Sequence, residues 1–344
     1  MTSPPIRVLV VDDSAFARKV IREVLADQNG IEVVGTARDG LDALEKIAEL
    51  APDVVTLDLV MPNLDGVGVL RALEGKQTPP AIVIVSMASG ESELGVAALQ
   101  LGAFDVVTKP TALATDGLYE LGHELRAKVV AAARRAVVAP RGRSPSAEPK
   151  LGARGSNTRL LVIGASTGGP QALTLLMRAL PEDFPVPIAI VLHMPEGYTE
   201  AFARRVDADC GLDVMEARDG LALRPRLAVV ARAGMHLTFQ SRGDGLVCKL
   251  DLQPLRTAHK PSVDVMFASG AAHAGSGALG VVLTGMGNDG LAGCRAIREA
   301  GGRVLTEAES SCVVYGMPRV VFEAGLSVAS APLEAMASLI VRHL

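Results

Sequence analysis

Short aliphatic runs recur along this chain, and most of them stop at a residue able to do chemistry. Ile6–Val11 runs into Asp12, Asp13 and Ser14, and Val54–Leu57 runs into Asp58. Ile82-Val83-Ile84-Val85 stops at Ser86, and Val106-Val107-Thr108 at Lys109. Further on, Leu160-Leu161-Val162-Ile163 leads into Gly164-Ala165-Ser166-Thr167-Gly168-Gly169-Pro170, Ile188–Leu192 into His193, and Leu279-Gly280-Val281-Val282-Leu283 into Thr284-Gly285-Met286-Gly287-Asn288-Asp289-Gly290. Runs of this length and branching read as strands buried on both faces. Between them lie stretches with helical spacing, such as Phe16, Val20 and Val24 at i, i+4 and i+8 with Ile21 and Leu25 beside them. Strands alternating with helices predict doubly wound parallel α/β sheets, whose ligands meet the carboxyl ends of the strands.

The chain has 344 residues. A prior of about 150 residues per domain suggests two domains. Hydrophobic residues make up 49% and aromatics only 3%, so the cores must be aliphatic, as parallel sheets prefer. No uncharged apolar stretch of about 18 residues appears, so no membrane insertion is expected. The amino terminus enters its first strand without a signal-peptide pattern. Cys210, Cys248, Cys294 and Cys312 are scattered and form no C-x-x-C pair. That argues for a reducing, cytoplasmic setting and against a zinc site or disulfide frame. The net charge of −4 gives no reason to expect a nucleic-acid partner. A monomer is expected.

In the first half, Asp12, Asp13, Asp58, Ser86 and Lys109 all lie at strand ends of one sheet. One Asp after a strand is usually a helix cap; five such residues at one edge suggest a site. Three carboxylates suit Mg²⁺, which prefers oxygen ligands. Lys and Ser can then hold phosphoryl oxygens. The motifs Val-Val-Asp12-Asp13-Ser, Asp58-Leu-Val-Met-Pro-Asn-Leu-Asp-Gly, Ser86 and Thr-Lys109-Pro110 resemble the receiver domain of two-component response regulators. The resemblance implies that Asp58 is the phospho-acceptor, served by a histidine kinase. It further implies that Asp12, Asp13 and Asp58 surround Mg²⁺, that Ser86 and Lys109 sense the phosphoryl group, and that the Lys109–Pro110 bond is cis. Many receivers carry an aromatic switch residue three positions before the Lys, where this chain has Val106.

The receiver is expected over residues 1–124, a linker over 125–157 and the second domain over 158–344. Leu118, Leu121, Leu125 and Val129 are spaced for a last receiver helix that runs on into the linker. Pro140, Pro145 and Pro149 then interleave with Gly, Ser and Ala, which cannot build a core. The region carries Arg134, Arg135, Arg141, Arg143, Lys150, Arg154 and Arg159 against Glu148 alone. It reads as a solvated tether, with attraction to an acidic partner as the alternative.

In the second half, Ser166 stands at a glycine-rich strand-to-helix turn in the pattern Gly-x-Ser-x-Gly, with Pro170 where a helix begins. Such a turn suits a nucleophile beside an oxyanion hole, or simply a capping Ser. His193 sits where a base for Ser166 would have to be, or is a structural residue. Residues 212–252 read as a few antiparallel strands inserted at one sheet edge. Ser262 or Asp264 caps the following helix. Gly285, Gly287 and Gly290 match G-x-G-x-x-G, with Glu307 or Glu309 about 20 residues on, so a dinucleotide site competes with a role for Asp289 in orienting His193. The order Ser166…His193…Asp289 differs from that of α/β-hydrolases, although the chemistry depends on geometry and not on order.

Gly-Ala-Ser166-Thr-Gly-Gly-Pro, His193-Met-Pro, Pro-Ser-Val-Asp264, Gly-Met286-Gly-Asn-Asp289-Gly and Tyr315-Gly-Met-Pro together resemble the catalytic domain of the CheB chemotaxis methylesterases. The resemblance implies a phosphorylation-activated serine hydrolase acting on glutamate methyl esters of methyl-accepting chemoreceptors, with glutamine deamidation as a further activity. Ser166, His193 and Asp289 would form the triad, with the N–H groups of Met286 and Thr167 as the oxyanion hole. No cofactor is expected for ester hydrolysis. Leu192 stands where the family usually has Gln, Arg226 where Gly is common, and residues 231–237 depart from its usual Ala-Pro-Gly-Gly before His-Leu. The rival readings are a non-catalytic regulator and a nucleotide-binding oxidoreductase.

Overall fold

The computed structural model describes residues 4–26, 30–76, 78–87, 91–109, 115–136, 157–243 and 245–344. The chain divides into two units, Met1–Gly142 and Arg143–Leu344.

The first unit runs β1 (Ile6–Val11), α1 (Ala15–Ala26), β2 (Ile31–Ala37), α2 (Gly40–Leu50), β3 (Val54–Leu57), α3 (Gly66–Leu73), β4 (Ala81–Met87), α4 (Ser92–Gln100), β5 (Asp105–Lys109) and α5 (Thr115–Ala136). Its strands form a parallel sheet in the order β2-β1-β3-β4-β5. All four residues of β3 are buried, as a strand covered on both faces requires. Asp39 and Asp65 cap α2 and α3 by accepting from the amides of Asp42 and Gly68. Gly66 is required by space, since a side chain there would run into the carbonyl of Asp58. The buried face of α1 is Ile21 and Leu25, while Phe16, expected in the same stripe, is 55% exposed. It lies one residue into the helix, beyond the part that packs on the sheet. α5 continues to Ala136, past the expected receiver limit at 124. The Lys109–Pro110 bond and linker residues 137–156 lie outside the described residues.

The second unit runs β6 (Leu160–Ala165), α6 (Gly169–Ala179), β7 (Ile188–Leu192), α7 (Tyr198–Asp209), β8 (Asp213–Glu216), β9 (Leu227–Val230), β10 (His236–Arg242), β11 (Gly245–Asp251), α8 (Val263–Ala274), β12 (Ala278–Val282), α9 (Leu291–Glu299), β13 (Arg303–Glu307), α10 (Met317–Glu323), β14 (Ala329–Ala331) and α11 (Leu333–Arg342). The main sheet is ordered β14-β13-β12-β6-β7-β9-β8, with every pair parallel. β6 therefore sits mid-sheet, with later strands added on both sides of it. This is the switch point where open α/β sheets form their sites. Thr158 already belongs here: its Oγ1 donates to the carbonyl of His343 and accepts from Arg303.

The antiparallel part is a separate hairpin of β10 and β11, turning at Gly243 with φ 60°. β8 and β9, from the same stretch, instead extend the main sheet in parallel. The 217–226 connection makes the crossover between these parallel neighbours. It lies against the hairpin through an antiparallel bridge between Ala222 and Val247.

Candidate functional sites

At the carboxyl edge of the first sheet, Asp12 and Asp58 are buried and Asp13 is exposed. One oxygen from each of the three carboxylates lies within 4.8 Å of the others. Lys109, at the end of β5, reaches Asp12 Oδ2 at 2.7 Å and Asp58 Oδ2 at 2.6 Å. Burial pushes the Asp58 carboxyl up; its bond to Lys109 opposes this, the nearby Asp12 charge adds to it, and the result is about 6. Burial disfavours the Lys109 ammonium, but its bonds to Asp12 and Asp58 prevail and raise its pKa. One cation serving a crowded carboxylate cluster leaves an excess of negative charge in a low-dielectric setting. That donor set, all oxygen and partly open through Asp13, fits Mg²⁺. Ser86 is fully buried and pairs in register with Thr108, the neighbour of Lys109. Val106 is buried in the core, and its carbonyl accepts from Lys128 Nζ at 2.7 Å.

In the second unit, Ser166 follows β6 and His193 follows β7. Ala165 and Leu192 are register partners, and the His193 amide donates to the Ala165 carbonyl at 3.1 Å. Ser166 and His193 thus leave adjacent strands, which run about 4.8 Å apart. The turn is locked from the other side as well. Ser166 N donates to Thr284 O at 3.0 Å, and Leu283 N to Gly164 O at 2.9 Å. Gly168, with φ 78°, caps α6 in the left-handed region open to glycine. Gly285 lies so close to Ser166 that a side chain there would strike its Cβ. The Tyr315-Gly-Met-Pro segment clamps Gly285, since its carbonyl accepts from the amides of Gly316 and Met317.

His193 Nε2 lies 2.9 Å from Asp289 Oδ2, and both side chains are 9% exposed. Asp289 also receives the amide of Val263 on Oδ2 at 2.8 Å, and the amide of Asp264 and the hydroxyl of Ser262 on Oδ1 at 2.9 Å each. The carboxylate therefore sits on the N-terminus of α8, where backbone N–H groups and the helix dipole favour an anion. Burial alone would raise its pKa, but the bond and charge of His193 and these backbone donors hold it well below the usual carboxylate range. An ionised carboxylate only accepts, so the His193 proton resides on Nε2. Nδ1 is left as the basic atom, and it is buried without a hydrogen-bond partner among the described residues. Thr167 is buried and Met286 half-buried, and neither amide donates to an acceptor among the described residues.

The sequence reading gave Ser262 only as a helix cap. It is also a donor to Asp289, a role that shows once α8 and the 284–290 loop are brought together. Glu307, offered above as a ribose acid, is fully buried and accepts from Thr284 N and Ser311 Oγ, both at 2.8 Å. It braces the loop that abuts Ser166, and Gly285 of the G-x-G-x-x-G pattern is pressed on Ser166. Those constraints account for the pattern without a dinucleotide. Leu192 packs its Cδ1 against Gly169 at the start of α6.

A receiver-type parallel-sheet unit joined to an α/β unit with a hydrolase-type turn is the class these features define. Residues 161–340 match the family model of the CheB methylesterase, and residues 8–115 that of the response regulator receiver domain. A Myxococcus xanthus protein-glutamate methylesterase/protein-glutamine glutaminase 5 is 63% identical over 341 residues, covering 98% of both chains. The Geobacillus kaustophilus protein-glutamate methylesterase/protein-glutamine glutaminase is 41% identical, again covering 98% of both. The crystal structure of the Thermotoga maritima CheB methylesterase catalytic domain matches with a TM-score of 0.53 at 34% identity, covering 54% of this chain and 99% of that one. The chain belongs to the CheB methylesterase family of receiver-linked enzymes. Receiver domains in general imply Mg²⁺-dependent phosphorylation. Among the described residues, no helix is long and apolar enough to cross a membrane.

Proposed function

We propose that this protein hydrolyses glutamate γ-methyl esters on chemoreceptors, and the side-chain amide of certain glutamines, and that phosphorylation of Asp58 raises its activity. The observation that carries the catalytic half is the His193–Asp289 pair beside the Ser166 turn, with Nδ1 of His193 the free basic atom. Ser166 Oγ attacks the ester carbonyl as His193 Nδ1 takes its proton, and Asp289 stabilises the imidazolium. The N–H groups of Met286 and Thr167 receive the oxyanion. His193 then returns the proton to the leaving methoxide, releasing methanol, or to the amide nitrogen, releasing ammonia. Water, deprotonated by the same nitrogen, frees Ser166 and leaves glutamate. No step in this sequence calls on a metal.

In the receiver, Asp58 takes the phosphoryl group from a histidine kinase. Asp12, Asp13 and Asp58 would hold Mg²⁺, which when bound would neutralise charge on the phosphoryl oxygens. Lys109 exchanges its bond to Asp58 for one to the phosphoryl group, with Ser86 as the second sensor. Phosphorylation adds about −1.5 to −2 charge, which shifts the surface around this edge. Adaptation in chemotaxis or a related chemosensory pathway is the setting this activity fits.

The test is methanol release from methylated receptors by the full chain, with and without a small phosphodonor and Mg²⁺. Release that rises with the phosphodonor, together with label on Asp58 by mass spectrometry, supports the reading. A fluorophosphonate probe that fails to label Ser166 would remove the hydrolase half and favour a non-catalytic regulator.

A further inference from the structure

We propose that His259 is a positioning residue for the reaction at Ser166, through an aromatic stack that fixes the plane of the base. The proposal rests on the reading of Ser166 and His193 as nucleophile and base. The His193 and His259 rings lie with centroids 3.9 Å apart and planes 24° from parallel. Asp289 fixes the Nε2 end of His193, but one hydrogen bond leaves the ring free to librate about that anchor. Nδ1 is buried and has no protein partner of its own among the described residues to oppose that motion. For the reaction its lone pair must point at the Ser166 hydroxyl, because hydrogen bonds weaken steeply once they bend. A ring packed against one face of the imidazole removes that freedom.

His259 is itself exposed, yet its segment is pinned. The segment joins β11 to α8 and wraps around His236, which is fully buried. Nε2 of His236 lies 3.2 Å from the Pro254 carbonyl and 3.3 Å from Thr257 Oγ1. Its Nδ1 accepts from the Ser262 amide at 3.2 Å. The Lys260 carbonyl accepts from Gly234 N at 3.1 Å. Anchors therefore lie on both sides of His259, and the next residues, Ser262 to Asp264, are those that hold Asp289. One segment thus sets both the partner of His193 and the face it rests on.

The experiment compares His259→Ala and His259→Phe in the phosphodonor-activated full chain. The readouts are kcat and KM for methanol release and the rate at which a small fluorophosphonate labels Ser166. The probe is too small to need receptor docking. Losing an offset stack predicts a drop of about threefold to tenfold in kcat and in labelling rate for His259→Ala. KM should stay unchanged, and His259→Phe, which keeps a ring there, should recover most of the loss. Wild-type rates in His259→Ala would overturn the proposal, as would a Phe variant as slow as Ala. A change confined to KM with normal labelling would also overturn it, making His259 a receptor contact. Ser166→Ala is run alongside: label persisting there would show that the underlying reading, and not the stack, is wrong.

Discussion

The two sheets present chemistry at the same edge and treat a carboxylate there in opposite ways. Asp58 receives the Leu59 amide and shares one ammonium with Asp12, and burial leaves its pKa raised to about 6. Asp289 is as removed from solvent but is met by an imidazole, a hydroxyl and two helix N-terminal amides, which hold it well below the usual range. Burial is similar; the supply of donors differs. The first carboxylate is under-compensated and suited to receive a cation and a phosphoryl group. The second is saturated, suited to stay charged while an imidazolium forms beside it. A fold places groups at an edge, and the donors around each group decide whether it reacts or orients.

Breaking the saturated site should have the largest effect. Ser166→Ala should abolish methanol release, and Asp289→Asn should lower kcat by about 10⁴ in steady-state assays, as loss of the orienting carboxylate does in triads. Ser262→Ala removes one of the four donors and leaves the charge. A hydrogen bond to a charged group contributes about 1.5–3 kcal/mol, so kcat should fall about tenfold to hundredfold, with Ser166 still labelled by fluorophosphonate.

The under-compensated site should respond in stability with the opposite sign. A carboxyl raised from 3.8 to about 6 contributes stability below pH 3.8 that is lost as the pH rises through about 6. Asp58→Asn should therefore take no phosphoryl label yet stabilise the receiver at pH 7.5 without Mg²⁺, by up to about 3 kcal/mol in denaturant unfolding. Mg²⁺ should raise the unfolding temperature of the wild type more than that of the variant. For Asp289 the sign reverses: its contribution is present above pH 3.8 and disappears as acid protonates it. Asp289→Asn should flatten the acid loss of stability in the second unit.

The smallest expected effect lies away from both sites. Arg226 adopts φ 66°, a left-handed conformation that glycine takes more readily. Arg226→Gly should raise stability by up to about 1 kcal/mol, with esterase activity unchanged, as thermal unfolding would show.

The candidate site residues were legible because they lie at or just past the carboxyl ends of strands, and a strand announces itself by a short aliphatic run. The pattern around Ser166 reads locally: β6, a glycine turn and Pro170 in the first turn of α6. Phe16 misled because helical spacing marks a stripe without saying how far along the helix the sheet extends. The direction of β8 and β9 was missed because parallel and antiparallel pairing share the same residue preferences; the partner strand decides, and it lies elsewhere in the chain. Glu307 looked available because nothing in its neighbourhood shows that Thr284, 23 residues earlier, donates to it.

The sequence by itself determined two parallel α/β units and the residue types at their reactive edges, since strand, turn and cap preferences act over a few residues. Tertiary structure alone decided what surrounds those residues. Ser262, Val263 and Asp264 meet Asp289 across 25–27 positions. His236 holds Ser262 across 26 positions, and His259 comes to stack on His193. Protonation state depends on charges and donors within a few ångströms, and ring orientation on packing. Those neighbours are gathered by sheet order and helix placement, so the chemistry of each edge was settled by partners that are distant along the chain and close in space.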